Sequence, residues 1–422
     1  LINRYLPPIA LLAGLALLGS LILLTPANEA LAVLFCLVLL SILAAVLYRV
    51  GIRPIDPGFP GSLFSLAFVV KLLGSVARYW MLAELYDMTG DAVRYQRAGQ
   101  RMAEAIWRGD FSFLAGSLSQ GSEAMEFLSG LLYTAIPGGL VTGYLVFAFL
   151  AFAGCVMMYR AFRVALPEVQ PGFYRLVLFF LPSLIFWPSS LGKDAWILFG
   201  SGVVAYGTAL YASRGSLRGV LVAGVGLLLV LVIRPHFAAF MVLAIGAAYL
   251  LFYRVTSMRQ MAVWSLAAVL IIGLSIVVLQ SATEFLNIGS LSEASWEEAE
   301  IVYAFRQRAS TVGGSEFASP DVLTLVGILY APVSVLLRPF VWEAHNVQTM
   351  VTALESLLWL CLLWWRRRIF WERVRMLRGQ PWVAFCAAYA GIMILAMTTM
   401  GNFGILARQR VALLPFLWVL FA

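Results

Sequence analysis

The chain has 422 residues, 62% of them hydrophobic and 12% charged, with a formal net charge of +8. The apolar share lies well above, and the charged share well below, that of a soluble globular domain, so a water-soluble fold is excluded and a bilayer is the expected solvent. The basic excess is then charge that sets topology, and the expected partners include membrane lipids but no nucleic acid.

Crossing the hydrocarbon as a helix takes about 20 apolar residues. Windows of that kind fall near 6 to 24, 29 to 48, 62 to 83, 140 to 160, 174 to 187, 194 to 212, 217 to 233, 237 to 253, 261 to 280, 347 to 365, 382 to 400 and 411 onward. They are apolar throughout, without the alternation of a lipid-facing barrel strand. The expected fold class is therefore all-α: a polytopic integral membrane helical bundle of about 12 transmembrane helices, forming one transmembrane domain over 1–422. Cys36, Cys155, Cys361 and Cys386 all fall inside apolar stretches, where a small polarizable side chain packs well, and no disulfide or metal site is read from them. The chain starts at Leu1 and stops inside an apolar run, so natural ends are expected beyond both. The first apolar run has no small-residue cleavage site and is followed at once by another, which reads as a span rather than a cleaved signal peptide.

Lys and Arg in short loops accumulate on the cytoplasmic side. With a cytoplasmic N-terminus, that side collects Arg4, Arg49, Arg53, Arg160, Arg163, Arg175, Arg214, Arg218, Arg254, Arg259 and the cluster from Arg366 to Arg378, while the opposite short loops keep Lys193, Arg234, Arg408 and Arg410. This reading requires 321 to 340 to be re-entrant, with Pro332 and Pro339 weakening a continuous helix. Two long segments, 84–139 and 281–346, then lie on the extracytoplasmic face, and a site is expected there.

The first of these opens a helix from Asp91 to about Arg108. Tyr95, Ala98, Met102 and Ile106 recur on one face and Arg94, Arg97, Arg101 and Arg108 on another, the pattern of an interfacial helix with its apolar side toward acyl chains. Asp91 is either its N-cap or a general base beside arginines that bind a lipid-linked phosphate. Trp187 to Asp194 makes a tight hairpin in which Ser190 and Asp194 suit helix capping. Lys193, a cation at a helix N-terminus, opposes the helix dipole and calls for an anionic partner. Arg234, Pro235 and His236 form a third outer turn. Arg338 to Asn346, with Glu343 and His345, follows the re-entrant stretch, and Asn402 to Arg410 joins the last two spans. His236 and His345, the two histidines of the chain, are read either as satisfied hydrogen-bonding residues or as site residues. Polar groups at the outer ends of several spans are expected to converge on one cavity, whose carboxylates, lysine and arginines suit an anionic substrate with a hydroxyl to deprotonate. Deeper in the membrane, Lys71 and Glu355 are expected to pair, as a register-fixing ion pair or as a proton or ion relay.

The run Thr89, Gly90, Asp91, Ala92, Val93, Arg94, Tyr95, directly after an early span and before an amphipathic helix, resembles the first extracytoplasmic loop of GT-C glycosyltransferases. Those enzymes are polytopic, take sugar from a polyprenyl-phosphate carrier and keep an acidic residue in that loop as catalytic base. The resemblance implies Asp91 as that base, with Asp87 as fallback. Asp194 and Glu343 are the further acidic candidates, and Arg94, Lys193, Arg234, His236, Arg338, His345, Arg408 and Arg410 the candidates for binding substrate and phosphate. The runs 188–194, 338–346 and 402–410 also resemble bacterial membrane proteins of exopolysaccharide or O-antigen polymerisation. Together these imply sugar transfer from a polyprenyl-linked donor to a glycan or lipid-linked acceptor, at the outer face of a bacterial plasma membrane. The chain departs from the family in lacking a clear DxD or paired-acid motif, so a divalent cation is compatible with the site but not required. A repeat-unit polymerase is the alternative enzyme. A transporter or lipid flippase using Lys71 and Glu355 is the rival class, for which repeated halves and matched broken spans would be the signature; neither is visible in the sequence.

Overall fold

A computed structural model describes residues 2–112, 120–252 and 324–422, together with 257, 258, 261, 262, 265, 266, 268, 269, 273, 316–318 and 320. Among them no strand forms; Glu316 and Asn402 meet as an isolated antiparallel bridge. The helices are α1 (Ile2–Leu24), α2 (Ala30–Val46), α3 (Gly61–Leu85), α4 (Asp91–Trp107), α5 (Ser122–Ala135), α6 (Leu140–Ala165), α7 (Gly172–Phe180), α8 (Pro182–Phe186), α9 (Lys193–Arg214), α10 (Leu217–Ile233), α11 (Pro235–Phe252), α12 (Leu325–Leu337), α13 (Val347–Trp365), α14 (Arg367–Met376), α15 (Pro381–Met397), α16 (Phe403–Gln409) and α17 (Leu414–Leu417). Helix is the form an apolar segment takes in lipid because it satisfies its own backbone polar groups. Among the described residues, six segments are long and apolar enough to cross a membrane, namely Tyr5–Leu24, Ala27–Ile52, Gly61–Leu85, Leu140–Ala165, Lys193–Arg214 and Val347–Trp365, and two bent pairs bring the number to eight. The fold is that of a multi-pass helical membrane protein. The expected span at 261–280 and the segment 281–315 fall largely outside the described residues.

The chain divides into two compact units. The first comprises residues 1–167, 175–207 and 221–234. Its centre is aromatic: Phe59 packs edge-on against Phe64, Tyr159 and Phe179, and Phe152 contacts Phe64, Phe68 and Phe179. Helices α6 and α9 approach at backbone distance. A methyl group on Gly202 would stand 2.3 Å from the Gly154 carbonyl oxygen, and one on Gly154 2.5 Å from that of Leu198, the small-residue contact expected where helices meet in lipid. The expected span 174–187 is broken. α7 stops before Leu181, and Pro182, which has no N–H to continue the ladder, opens α8. Lys71 finds its partner in α8, where its Nζ donates to the Leu184 carbonyl at 2.6 Å.

The second unit comprises 168–174, 208–220 and 235–422. There α11 and α12 pack on α15, and α13 packs on α12. The stretch 321–340 is expected to be re-entrant, with Pro332 and Pro339 weakening a continuous helix; α12 runs through Pro332 and ends at Leu337, two residues before Pro339, and is capped at its start by Thr324, whose hydroxyl accepts from Gly327 N at 3.1 Å. At about 1.5 Å per residue it rises about 20 Å, too short alone for a core of about 30 Å. The last expected span begins earlier than 411 and is bent by 56° between Phe403–Ala412 and Leu414–Phe421. Glu355, expected to meet Lys71, lies buried on α13 and acts electrostatically on Arg410 within this unit.

Candidate functional site

In the first unit the starts of three helices meet. Residues of α4 and α5 pair in rising order: Arg94 with Glu126, Gly99 with Ser129, Met102 with Gly130. The two helices therefore run in the same sense, with their N-termini at one end. Tyr95, one turn into α4, lies 3.4 Å by its hydroxyl from Ser122 Oγ, and Ser122 is the first residue of α5. Lys193, the first residue of α9, donates from Nζ to the same Ser122 Oγ at 2.9 Å. Gly121, at φ +80°, donates its N–H to the Val232 carbonyl at 3.0 Å, tying the start of α5 to the end of α10. Arg234 follows α10 and pairs with Asp194 on α9 at 3.6 Å. Helix N-termini carry partial positive charge and unpaired N–H groups, so a junction of three of them with Lys193 and Arg234 suits an anion.

Asp91 stands exposed at this end of α4. It is not the N-cap: Gly90, at φ +135°, holds that position, and Asp91 occupies the first turn, where a carboxylate is favoured by the dipole. The turn before it places Asp87 and Met88 in the left-handed region, at φ 45° and 54°, a strained conformation that Asp tolerates better than Met. Of the α4 stripe expected to face acyl chains, Tyr95 is buried and Met102 lies against Gly130 of α5, while Ala98 and Ile106 are half-buried; the buried face also takes in Val93, Gly99 and Ala103, which that stripe did not include. Methyl groups on Gly99 and Gly130 would meet the Ser129 backbone at 2.7 Å and Met102 Sδ at 2.2 Å. Arg94, expected as a phosphate ligand, is held by Glu126 at 2.6 Å, which raises the guanidinium pKa further.

The candidates of the second unit form another arrangement. Glu343 accepts from Arg338 Nε at 2.9 and 3.1 Å, from its Nη2, and from the Phe340 N–H at 2.9 Å. The Arg338 guanidinium lies 4.4 Å from the Phe317 ring centroid and 5.6 Å from that of Phe403, rings that themselves stack at 4.5 Å. Both candidates are thereby committed to each other, which leaves Glu343 poorly placed to take a substrate proton. Arg410, expected at the phosphate, is fully buried. It donates to the carbonyls of Val335, Leu336 and Arg338 at 3.3, 2.9 and 3.0 Å and lies over Trp359, so it caps the C-terminus of α12. Arg408 occupies the last turn of α16, whose N-cap is Asn402. His345 donates its backbone N–H to Thr349 Oγ1 at 3.2 Å, beside the capping box of Asn346 and Thr349. His236 packs its ring edge-on against Phe237 at 4.9 Å.

Four side chains of the first unit were missed by sequence reasoning. Tyr95 was read as part of a lipid-facing stripe, and Ser122 and Glu126 lie in the long outer segment 84–139, where neither was singled out. Arg78 sits in α3 with its guanidinium 5.2 and 5.1 Å from the rings of Phe186 and Trp187. Its position seven residues after Lys71, on the same helix face, was the available signal. Among the described residues no three His, Cys, Asp or Glu side chains gather as a metal site. No protein-family model matches the chain, and no curated protein or solved structure matches it.

Proposed function

We propose that this chain is a membrane glycosyltransferase of GT-C-like, roughly twelve-span topology. It works at the extracytoplasmic face of a bacterial plasma membrane and moves a sugar from a polyprenyl-phosphate or diphosphate donor to a glycan or lipid-linked acceptor. The observation that supports this best is the convergence of the starts of α4, α5 and α9 on Ser122, which sets Lys193 beside Asp91's end of α4. In the proposed reaction Asp91 takes the proton of the acceptor hydroxyl, whose oxygen attacks the anomeric carbon as the bond to the phosphate oxygen breaks. Lys193 and the helix starts stabilise the negative charge on the departing phosphate.

In a reconstituted assay with a polyprenyl-linked sugar donor, Asp91→Asn is expected to keep folding and lipid binding while cutting turnover by roughly 100- to 10,000-fold. Near-normal turnover would remove Asp91 as base. One observation favours the rival class: interrupted helices, such as those at Pro182 and before Leu414, resemble the discontinuous helices of transporters. Movement of a lipid-linked sugar between vesicle leaflets without sugar transfer would select that reading.

A further inference from the structure

The other end of the first unit, where α6 ends and the loop 53–60 leads into α3, holds a second polar cluster. Tyr159 on α6 is completely buried and donates its hydroxyl to Asp56 Oδ2. Phe59 packs edge-on against Tyr159 at 5.4 Å and carries the Arg175 guanidinium on its ring, while Arg163, one turn after Tyr159 on α6, donates one N–H to the Pro167 carbonyl at 3.2 Å; both guanidinium groups act electrostatically on the Tyr159 hydroxyl. Arg160, one turn before Arg163, is already occupied: it donates to the Tyr206 hydroxyl at 2.9 Å and lies over that ring at 4.3 Å. Arg175 is not. It rests on the Phe59 ring at 4.8 Å, while its Nε is buried with no hydrogen-bond partner among the described residues. Arg175 forms no salt bridge among the described residues. A guanidinium kept charged and partly desolvated without an acceptor is unfavourable, and phosphate is the acceptor whose geometry its fork fits. The surroundings indicate what carries the phosphate. Leu176, next to Arg175, is 53% exposed, and Val46 and Val50, flanking Arg49, are 51% and 68% exposed. Acyl chains would cover such side chains, and a free ion would not.

We propose that Arg163 and Arg175 hold the phosphate of an anionic phospholipid headgroup at this end of the first unit. Basic pockets between spanning helices take such headgroups on the cytoplasmic side, and the charge pattern assigns this end to that side.

The test uses the purified full chain in detergent micelles, with thermal unfolding followed while phosphatidylglycerol, phosphatidylcholine or inorganic phosphate is added. A ligand that binds only the folded state raises the unfolding midpoint with concentration. Phosphatidylglycerol is expected to do so, and the other two are not. Arg175→Gln should raise the phosphatidylglycerol concentration needed by about tenfold or more, the loss of one charge-assisted contact, and Arg175→Lys should recover part of it. Equal shifts from both lipids would overturn the proposal. A full shift from inorganic phosphate alone would overturn the lipid assignment. If Arg175→Gln does not fold, Arg163→Gln carries the same expectation, and the lipid comparison on the unaltered chain is decisive by itself.

Discussion

Lys71 and Arg410 are 3% and 1% exposed, and each donates to main-chain carbonyls at or near a helix end. Lys71 takes that of Leu184 in short α8, and Arg410 takes three around the end of α12. The last carbonyls of a helix lack intrahelical partners, and in a bilayer no water replaces them. Arg410→Met should therefore strand three acceptors at about 1–3 kcal/mol each, lowering stability by at least about 3 kcal/mol. Arg410→Lys, which keeps the charge but loses the planar fork, should fall between. Thermal unfolding in detergent measures both, and a loss below about 1 kcal/mol for Arg410→Met would mean those carbonyls are satisfied otherwise. The sequence shows that a mid-span Lys71 and Glu355 need partners. It does not show which, because a backbone carbonyl leaves no trace in side-chain identity. The candidate site has the same character: Asp91, Lys193 and Arg234 stand out as polar residues at span ends, whereas the contacts that join Tyr95 and Lys193 through Ser122, and Gly121 to Val232, link residues far apart in the chain.

At the scale of elements, the apolar runs mark where most helices lie, and proline and glycine decide their continuity in ways that spacing does not reveal. Pro182 and Pro415 each open a new helix, while Pro332 stays inside α12. Glycines divide likewise by what faces them. A methyl on Gly99 would press on the Ser129 backbone at 2.7 Å, whereas Gly391 in α15 has nothing within 4 Å. Gly99→Ala should push α4 from α5 and cost about 1–3 kcal/mol. Gly391→Ala, in an exposed helix interior, should gain about 0.5–1 kcal/mol. Opposite signs in paired unfolding measurements are the expected outcome, and a stabilising Gly99→Ala would show that α4 and α5 are not packed on each other.

For the whole molecule, the distribution of arginine makes a claim about sidedness that single-cysteine labelling can check. α3 and α13 are both long and apolar enough to cross, so residues flanking each should lie on opposite sides of the bilayer. Cys361 is the exposed native thiol, the other three being buried, so Cys361→Ser gives a background silent to a membrane-impermeant maleimide. Into it go Arg53→Cys and Arg97→Cys, bracketing α3, and Trp342→Cys and Glu372→Cys, bracketing α13, all at exposed positions. The cluster from Arg366 to Arg378 resists translocation, so Glu372→Cys and Arg53→Cys should label only after the membrane is opened, and Arg97→Cys and Trp342→Cys in intact cells. Matching labels at Trp342→Cys and Glu372→Cys would mean α13 does not cross. Matching labels at Arg53→Cys and Arg97→Cys would remove α3 as a span, and labelling of both only after the membrane is opened would put the Asp91 end of α4 on the cytoplasmic side, against the proposed site.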